Sequence, residues 1–423
     1  MPKVLHITAH LGGGVGGVLS AVAINAKQNG SVFRHEIMQL EPTNNRHYVE
    51  ICEENGIPLM LADKTNIKNK ISSADIVQID WWPHPLTMKF MNDNLSAVPS
   101  RLVIWSHVSG CKYPYIPAGF IKLPSKFIFT SPFSYENPYW DEETKDKIRE
   151  ISEVVISSSG NYTGKKCGIK SGSEFVIGYV GYLGYRKTNP DFVKFCEAVD
   201  IPGVQFTVVG DISHGEDLIR DAEKSGLRER FVFTGYVNNV EKQLANFDTF
   251  GYLLNPEHTG TAENALLEAM ATGIPPVVLN QDALKHVVRD GYTGFVVNDI
   301  CEYGKAMRYL FENPLERIRI GENASRFARE NFCISNTLRG LEKVYSEVLA
   351  ADKRVCDIKG VFGDNPYEWF KMCLGDEKDN ASNLEFILGP SKCSIYQYIK
   401  YFPEDKALEQ FLSSVLPVNE EVN

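Results

Sequence analysis

The chain of 423 residues is long enough for two or three domains, each with a core of its own. Its hydrophobic fraction of 43% and charged fraction of 23% are those of an ordinary globular protein. The chain has 54 Asp and Glu and 44 Lys and Arg, which gives a net charge of -10. This balance argues against a general binder of nucleic acid and excludes that class of protein.

Targeting and redox features are sparse. No apolar run reaches the ~18 residues that span a bilayer, and residues 4–24 contain His6, His10 and five glycines, which spoil a signal peptide. The nine cysteines include no C-x-x-C pair, so neither a disulfide framework nor a zinc site is expected. The sequence therefore predicts a cytoplasmic protein with reduced thiols.

The first part of the chain alternates short apolar strands with helices. A strand at 3–8 is followed by a glycine-rich turn at 12–17 and a helix at 18–28. Further strands are predicted at 36–40, 76–79, 102–105 and 127–129. Strands that alternate with helices indicate a parallel, doubly wound sheet.

A polar stretch at 157–173 interrupts this order and is interpreted as a linker. Beyond it, strands are predicted at 175–180, 205–209, 231–233, 249–254, 276–279 and 295–297, and helices at 315–331 and 335–350. We therefore expect an α/β protein of two Rossmann-like lobes that face each other across a ligand cleft. The expected domains are a first lobe at 1–165, a second lobe at 170–335, a helix at 336–351 that returns to the first lobe, and a small C-terminal appendage at 352–423.

Residues 12–17 satisfy G-x-G-x-x-G between a strand and a helix. Gly13, Gly14, Gly16 and Gly17 would let backbone N–H groups approach a phosphate at the helix N-terminus. A dinucleotide site also needs an acidic residue about 20 residues further on, and the nearest are Glu36 and Glu41. A flexible turn without a ligand is the alternative.

Residues 255–275 are the most informative segment. A strand ends in small polar residues, and a helix is expected to begin near Thr261, with Thr261 as its N-cap and Asn264 three residues later. The free N–H groups of such a helix end hold anions. Glu268 lies among apolar residues, which indicates a partly buried carboxylate that needs hydrogen-bond donors, such as a ribose diol. A solvated Glu268 is the alternative.

At residues 266–275 the sequence resembles the signature L-L-E-A-M-A-x-G-x-P of the family 4-like glycosyltransferases, the glycosyl transferases group 1, which have the GT-B fold. The likeness extends to residues 178–187, 208–211, 233–237 and 106–107. It implies that Glu268 binds the donor ribose, that Lys187 binds the diphosphate, and that His107 lies near the reacting sugar. These three are the expected catalytic residues. The donor-binding candidates are Gly13, Gly14, Gly16, Gly17, Arg186, Lys187, Val237, Glu257, Thr261, Ala262, Glu263, Asn264 and Glu268.

The sequence departs from the family pattern at two positions. The first Glu of the E-x7-E motif falls on Gly260, so its contact with the donor sugar must come from Glu257 or Glu263, or be absent. The diphosphate-binding Arg falls on Tyr182, with Arg186 as its substitute. These departures keep open a degenerate member that binds a nucleotide sugar without turnover.

The resemblance implies a retaining transferase that moves sugar from a UDP- or GDP-sugar to a saccharide or lipid-linked acceptor in bacterial cell-surface polysaccharide synthesis. The chain contains no Asp-x-Asp pair for a divalent ion, so neither a metal nor another cofactor is expected. The protein would work in the cytoplasm, either free or peripheral on the inner face of the membrane. An NAD-dependent oxidoreductase remains an alternative that leaves the Glu268 segment unexplained.

The acceptor is expected on the first lobe, where Trp81, Trp82 and His84 follow a predicted strand end. Exposed aromatic faces stack on the apolar faces of sugar rings. The alternative is that the two tryptophans belong to the core and that Pro83 ends the strand.

Overall fold

The computed structural model describes residues 1–160, 174–237, 239–281, 283–375, 384, 387–389 and 393–416. The chain divides into two compact units. The first unit comprises Met1–Ser157 and Thr337–Asn423, and the second comprises Ser158–Asn336. Each unit is built on one parallel sheet with helices between its strands, so the expected pair of Rossmann-like folds is confirmed.

The first unit contains a seven-stranded sheet in the order β3-β2-β1-β4-β5-β6-β7. The central strands β1 and β4 are buried along almost their whole length, as expected for a parallel sheet covered on both faces. The strands are β1 Lys3–Thr8, β2 Arg34–Gln39, β3 Leu59–Leu61, β4 Ile76–Trp81, β5 Leu102–Ser106, β6 Lys126–Phe129 and β7 Ser152–Val154. The strand order reverses between β1 and β4, so a crevice is expected at their carboxyl ends.

Six α-helices connect these strands. They are α1 Gly13–Gln28, α2 His47–Glu54, α3 Ile67–Ser73, α4 Pro85–Phe90, α5 Ala118–Ile121 and α6 Glu142–Ile151. A π-helical turn at Met91–Leu95 continues α4, and a 3-10 turn spans Pro132–Glu136. Longer connections of this kind are what joins parallel strands, because a tight hairpin cannot.

The second unit has a six-stranded parallel sheet in the order β10-β9-β8-β11-β12-β13. Its strands are β8 Val176–Val180, β9 Gln205–Val209, β10 Phe231–Gly235, β11 Thr249–Tyr252, β12 Pro276–Leu279 and β13 Phe295–Val297. Its helices are α7 Phe192–Glu197, α8 Glu216–Lys224, α9 Val240–Leu244, α10 Asn264–Ala271, α11 Leu284–Val287, α12 Ile300–Glu312 and α13 Pro314–Asn331. The order reverses between β8 and β11, where the Lys187 loop and residues 253–263 follow the strand ends.

Helix α14, Ile334–Leu349, contains the boundary between the units, which falls between Asn336 and Thr337. After it come α15 Ile358–Phe362, α16 Pro366–Lys371, α17 Ile395–Tyr401 and α18 Lys406–Val415. Residues of this extension belong to the same hydrophobic core as β4 and β5. The Phe362 ring, for example, lies 4.8 Å from that of Phe120. The extension is therefore part of the first unit's core.

The structure corrects two predictions about this unit. Helix α1 begins at Gly13 and not at residue 18, because the predicted turn already has helical hydrogen bonding, with the Gly16 N–H donating to Gly12 at 3.2 Å. Strands β3 and β7 were missed, because each has only three residues and lies at a sheet edge. Most of the predicted linker, residues 161–173, lies outside the described residues. Within the described part, no helix is both long and apolar enough to cross a membrane.

Replacing Trp369 tests how far the extension stabilises the first unit. Its side chain is 3% exposed, and its indole N–H donates to the Gly363 carbonyl at 3.1 Å. We expect Trp369→Ala to lower the free energy of unfolding in urea by about 3–5 kcal/mol, since a large cavity replaces the ring. The exposed Tyr396 is the control, and Tyr396→Ala should cost about 0.5 kcal/mol or less. Equal effects of the two changes would contradict a core role for the extension.

Candidate functional site

The candidate site of the second unit lies at the carboxyl ends of β8 and β11. Lys187 closes the loop after β8, and its carbonyl accepts the Asn255 N–H at 2.8 Å. The Asn255 side chain in turn donates to the Tyr185 carbonyl at 2.6 Å. These bonds fix the loop after β8 against the loop after β11, so that the predicted diphosphate lysine and the acidic segment lie side by side.

Glu263 is the centre of this site. Its side chain is 5% exposed, and one carboxylate oxygen lies 3.0 Å from Lys187 Nζ. The same oxygen accepts the Tyr252 hydroxyl at 2.5 Å, and the other lies 3.0 Å from His258 Nε2. Lys187 Nζ also lies 5.5 Å above the Tyr252 ring. The buried carboxylate thus contacts two basic side chains and one hydroxyl.

The charge of Glu263 depends on these partners. Burial alone raises the pKa of a carboxyl group, but Lys187, His258 and the two hydrogen bonds outweigh it and hold the pKa of Glu263 well below its usual value. Removing one partner of such a buried ion pair is more damaging than replacing both. Glu263 is therefore ionised, and it neutralises Lys187 while no ligand is bound.

Gly260 stands where the family has the first Glu of its motif. A Cβ atom there would lie 1.9 Å from Glu263 Oε1 and 2.3 Å from His258 Nε2, far inside van der Waals contact. The Glu263 carboxylate thus occupies the space that a side chain at position 260 would need. Glu257, the other candidate to replace the missing carboxylate, is exposed.

Helix α10 begins later than predicted. Its first residue is Asn264 and its N-cap is Glu263, whose side chain does not cap the helix. Thr261 is buried in the preceding loop, so its prediction as the N-cap is wrong. Asn264 Oδ1 accepts the Ser159 N–H at 3.2 Å, and the half-buried Ala262 lies directly before the cap. The positive end of the helix dipole thus starts beside the Lys187–Glu263 pair.

Glu268 is partly buried, as the sequence predicted. Burial raises the pKa of Glu268 to about 7, and no described residue donates a hydrogen bond to its carboxylate. It lies one helical turn beyond Asn264. A half-buried carboxylate gains from hydrogen-bond donors, and the described residues supply none to Glu268.

The other donor candidates of this unit line the same strand ends. Arg186 is half-buried beside Lys187, and Val237 is half-buried in the loop after β10. Tyr182, at the position of the family's Arg, is 42% exposed, and its ring lies 4.9 Å from that of His214. The structure therefore places no cation at position 182, and Lys187 and Arg186 remain the candidates for a diphosphate.

The glycine segment of the first unit forms the first turns of α1. A Cβ atom on Gly16 would lie 2.6 Å from the Leu11 backbone, and one on Gly17 would lie 3.0 Å from the Tyr48 hydroxyl. Both glycines thus permit close packing. Gly13 has a φ of 61°, which favours glycine, whereas Gly14 faces open space. Phosphate binding by these residues stays a prediction.

His107 belongs to a buried polar network at the ends of β1, β4 and β5. Its Nε2 lies 3.2 Å from Asp80 Oδ1, and the other Asp80 oxygen lies 3.5 Å from His6 Nδ1. Burial favours the neutral form of Asp80, but hydrogen bonds from His107 and His6 outweigh it and lower the pKa of Asp80. An ionised Asp80 thus orients the His107 ring.

The proposed acceptor residues are not exposed. Trp81 and Trp82 are 0% and 5% exposed, and His84 is 1% exposed. The expectation of exposed tryptophan faces is wrong, because β4 extends through Trp81 and is covered on both faces of a parallel sheet. His84 caps α4 instead, its Nδ1 accepting the Leu86 N–H at 3.2 Å.

Sequence reasoning missed Tyr252, His258 and Asp80. Tyr252 and Asp80 lie near the carboxyl ends of predicted strands, so their sequence positions indicate strand or core residues and not site residues. His258 lies five residues before Glu263 in a loop, and this spacing does not place the two side chains on one face of a helix or strand. The one usable signal was their position at strand ends, where ligand sites of parallel sheets form.

Residues 165–327 match the model of a family described as Glycosyl transferases group 1. This segment is thus similar to the glycosyl transferases group 1. It contains Lys187, Gly260, Glu263 and Glu268, so the likeness lies in the unit that holds the candidate site.

Two curated relatives are similar to this chain over part of their length. The N-acetyl-alpha-D-glucosaminyl L-malate synthase of Bacillus anthracis is 26% identical over 196 residues, 45% of this chain and 49% of the relative. The UDP-Gal:alpha-D-GlcNAc-diphosphoundecaprenol alpha-1,3-galactosyltransferase of Escherichia coli is 30% identical over 202 residues, 45% of this chain and 50% of the relative. The chain thus spans about half the length of these relatives.

Among solved structures, HepE of Anabaena in complex with UDP-glucose superimposes with a TM-score of 0.64. The two sequences are 16% identical, and the match covers 83% of this chain and all of HepE. This likeness shows the GT-B fold over most of the chain.

The raised pKa of Glu268 predicts a pH-dependent stability. Because its folded pKa of about 7 exceeds the usual 4.5, the folded protein loses stability as the pH rises through this interval, and Glu268→Gln removes that loss. In urea unfolding, the free energy of unfolding of Glu268→Gln relative to that of the wild type should rise by about 2–3 kcal/mol between about pH 5 and pH 8. Glu257→Gln, at an exposed position, is the control and should show no such gain. A wild-type-to-variant difference that stays constant with pH would contradict the burial of this carboxylate.

Proposed function

We propose that the protein is a retaining, metal-independent glycosyltransferase that uses a nucleotide-sugar donor bound to the second unit. The observation that carries this proposal is Glu268, a half-buried carboxylate with a pKa of about 7 and no hydrogen-bond donor among the described residues. A ribose diol supplies two hydroxyl donors to such a group. The match of residues 165–327 to the glycosyl transferases group 1 supports the same function.

The donor diphosphate would lie at Lys187. In the free protein Lys187 is paired with Glu263 at 3.0 Å, so a diphosphate must compete with this carboxylate or extend the pair into a larger network. The N-terminus of α10, beside Glu263, adds favourable N–H groups. Together they would stabilise charge that develops on the leaving phosphate.

The donor sugar would lie near the Glu263 carboxylate. Glu263 Oε1 and His258 Nε2 fill the space of a side chain at Gly260, the position of the family's first motif Glu. Glu263 thus offers a carboxylate at nearly the same place from a position three residues later. We assign it the contact with sugar hydroxyls that Gly260 cannot make.

The base of the donor is proposed to be uracil. The HepE structure holds UDP-glucose, and the name of the Escherichia coli relative specifies a UDP-galactose donor and an acceptor linked to diphosphoundecaprenol. By analogy we propose a UDP-sugar donor and a saccharide or lipid-linked acceptor. The reaction would belong to cell-surface polysaccharide synthesis, and the protein would work in the cytoplasm, peripheral to the membrane.

Front-face attack, with the leaving phosphate taking the acceptor proton, would retain the anomeric configuration. This route needs no protein base. His107, oriented by Asp80 at 3.2 Å, would position the reacting groups. No divalent ion is required if Lys187 and the helix end carry the charge of the leaving group.

A non-catalytic nucleotide-sugar binder is the second candidate function. It is favoured by one observation, the buried pairing of Lys187 with Glu263, which withdraws the cation from a diphosphate. Such a protein would bind UDP-sugars without releasing UDP.

The test measures turnover of UDP-glucose, UDP-galactose and UDP-N-acetylglucosamine in the presence of EDTA. The quantity measured is the rate of UDP release. Lys187→Ala and Glu268→Ala should each reduce turnover about 100-fold or more, because each removes a contact with the reacting diphosphate or its ribose. Lys194→Ala is the matched control, since Lys194 pairs with Asp191 on the surface. It should retain wild-type turnover.

The outcomes separate the two candidates. UDP release by the wild type that both site variants abolish supports the transferase. Thermal stabilisation by UDP-sugars without UDP release would favour the binder. Turnover that survives both Lys187→Ala and Glu268→Ala would overturn the site assignment.

A further inference from the structure

A buried polar network crosses the sheet of the first unit. At its centre, near the end of β4, the Asp80 side chain is 0% exposed. Its Oδ1 accepts from Gln78 Nε2 at 3.1 Å and lies 3.2 Å from His107 Nε2, while its Oδ2 lies 3.5 Å from His6 Nδ1. The other nitrogen of His6, Nε2, lies 2.8 Å from Nδ1 of His35 on β2. We name these five residues the Asp80 network.

The charge of Asp80 determines which nitrogen of His6 carries the proton. Because the pKa of Asp80 is lowered, the carboxylate is ionised, and an unprotonated Nδ1 of His6 would direct its lone pair at a negative charge 3.5 Å away. This repulsion is strong in buried surroundings, where water does not screen charges. A neutral His6 ring therefore carries its proton on Nδ1, and its Nε2 accepts the Nδ1–H of His35.

His35 is held in place as a neutral donor to His6. Burial lowers the pKa of His35 to about 3, so its ring carries a single proton at neutral pH. The ring stacks on that of His6 with a centroid distance of 5.1 Å, and the Tyr345 ring lies 6.1 Å away. Packing thus fixes the orientation of His35 and of the proton that it shares with His6.

His107 lies on the other side of Asp80. Its backbone N–H donates to the Trp81 carbonyl at 2.8 Å, and its ring lies 4.8 Å from that of Trp105. An ionised Asp80 accepts the proton on Nε2, which leaves the lone pair of the neutral His107 ring on Nδ1. A protonated Asp80 would instead donate to Nε2 and move the proton of His107 to Nδ1.

The ionisation of Asp80 depends on the number of its donors. A buried carboxylate stays charged only while hydrogen bonds to its charged form outweigh the cost of burial. Gln78 supplies one of these bonds, and the Tyr345 hydroxyl, which donates to Gln78 Oε1 at 2.6 Å, turns the amide N–H groups toward Asp80. The His6 proton supplies another, so the loss of His6 would raise the pKa of Asp80.

We propose that His6 and His35 are positioning residues for His107: they keep Asp80 ionised and thereby hold the proton of His107 on Nε2, so that Nδ1 is the nitrogen that accepts. Two buried imidazoles in adjacent strands cost stability that apolar side chains would not, and this role accounts for them. The tautomer of an imidazole decides which nitrogen can accept a proton. The effect on turnover rests on the glycosyltransferase function proposed above, whereas the proton positions do not depend on it.

The proton positions are measured by NMR on the full chain labelled with ¹⁵N-histidine, from two-bond ¹⁵N–¹H couplings in the rings. The pH is held at about 8, above the ordinary histidine pKa of about 6.5. Signals are assigned by their loss in His107→Gln, His6→Phe and His35→Phe. We expect Nε2–H for His107 and Nδ1–H for His6 and His35 in the wild type. A wild-type His107 with its proton on Nδ1, or a His6 with its proton on Nε2, would overturn the proposal.

His6→Phe removes both nitrogens and keeps a ring. It should raise the Nδ1–H population of His107 about five-fold or more, because burial then favours a protonated Asp80. His35→Phe should act in the same direction, whereas the amide of His35→Gln can still donate to His6 and should preserve the wild-type tautomer. Phe33→Leu is the control, since Phe33 is 3% exposed and its ring lies 5.3 Å from that of Tyr345. It changes packing beside the network without removing a donor.

The second readout is UDP release from the UDP-sugars. His6→Phe should lower kcat about ten-fold and leave KM for the UDP-sugar within about two-fold, because the donor site lies in the second unit. Its melting temperature shift with UDP should equal that of the wild type. A wild type without UDP release would contradict the proposed function, and the tautomers would then decide this proposal alone. An unchanged His107 tautomer in His6→Phe and His35→Phe, or equal losses of kcat in His6→Phe and Phe33→Leu, would overturn it.

Discussion

The buried carboxylate of Glu263 is the interaction on which the candidate donor site depends. It binds Lys187, His258 and Tyr252 at once, and it fills the space beside Gly260. A buried charge of this kind is stable only while its partners remain. The site is therefore a single electrostatic unit, in which a ligand diphosphate must be accommodated together with Glu263. A chain with Gly260 at the position of the family's first motif Glu thus still presents a carboxylate beside Lys187.

Both units use the same consequence of parallel sheet topology. The strand order reverses between β1 and β4 in the first unit and between β8 and β11 in the second, and polar side chains collect at the carboxyl ends of these strands. In the second unit they form the Lys187–Glu263 pair, and in the first they form the Asp80 network. The extension contributes Phe362, Trp369 and Tyr398 to the core of the first unit.

The sequence was sufficient for all strands except the short edge strands β3 and β7, because buried parallel strands are nearly continuous apolar runs. It was also sufficient for Glu268, whose apolar neighbours indicated burial. It failed for Trp81 and Trp82, since an aromatic pair after a strand looks the same whether exposed or buried. It failed for the starts of α1 and α10, where glycine and small polar residues suit both a loop and a first helical turn. Lys187, one partner of Glu263, comes from a distant part of the chain, and no local pattern reveals the pair.

The central claim, that Lys187 and Glu268 hold a nucleoside diphosphate on the second unit, is tested most directly by isothermal titration calorimetry of the full chain with UDP, GDP and ADP in EDTA. The account predicts one binding site for UDP, a dissociation constant unchanged by Mg²⁺, and loss of measurable binding in Lys187→Ala and in Glu268→Ala. Absence of heat with all three nucleotides, or UDP binding that persists in both variants, would contradict it.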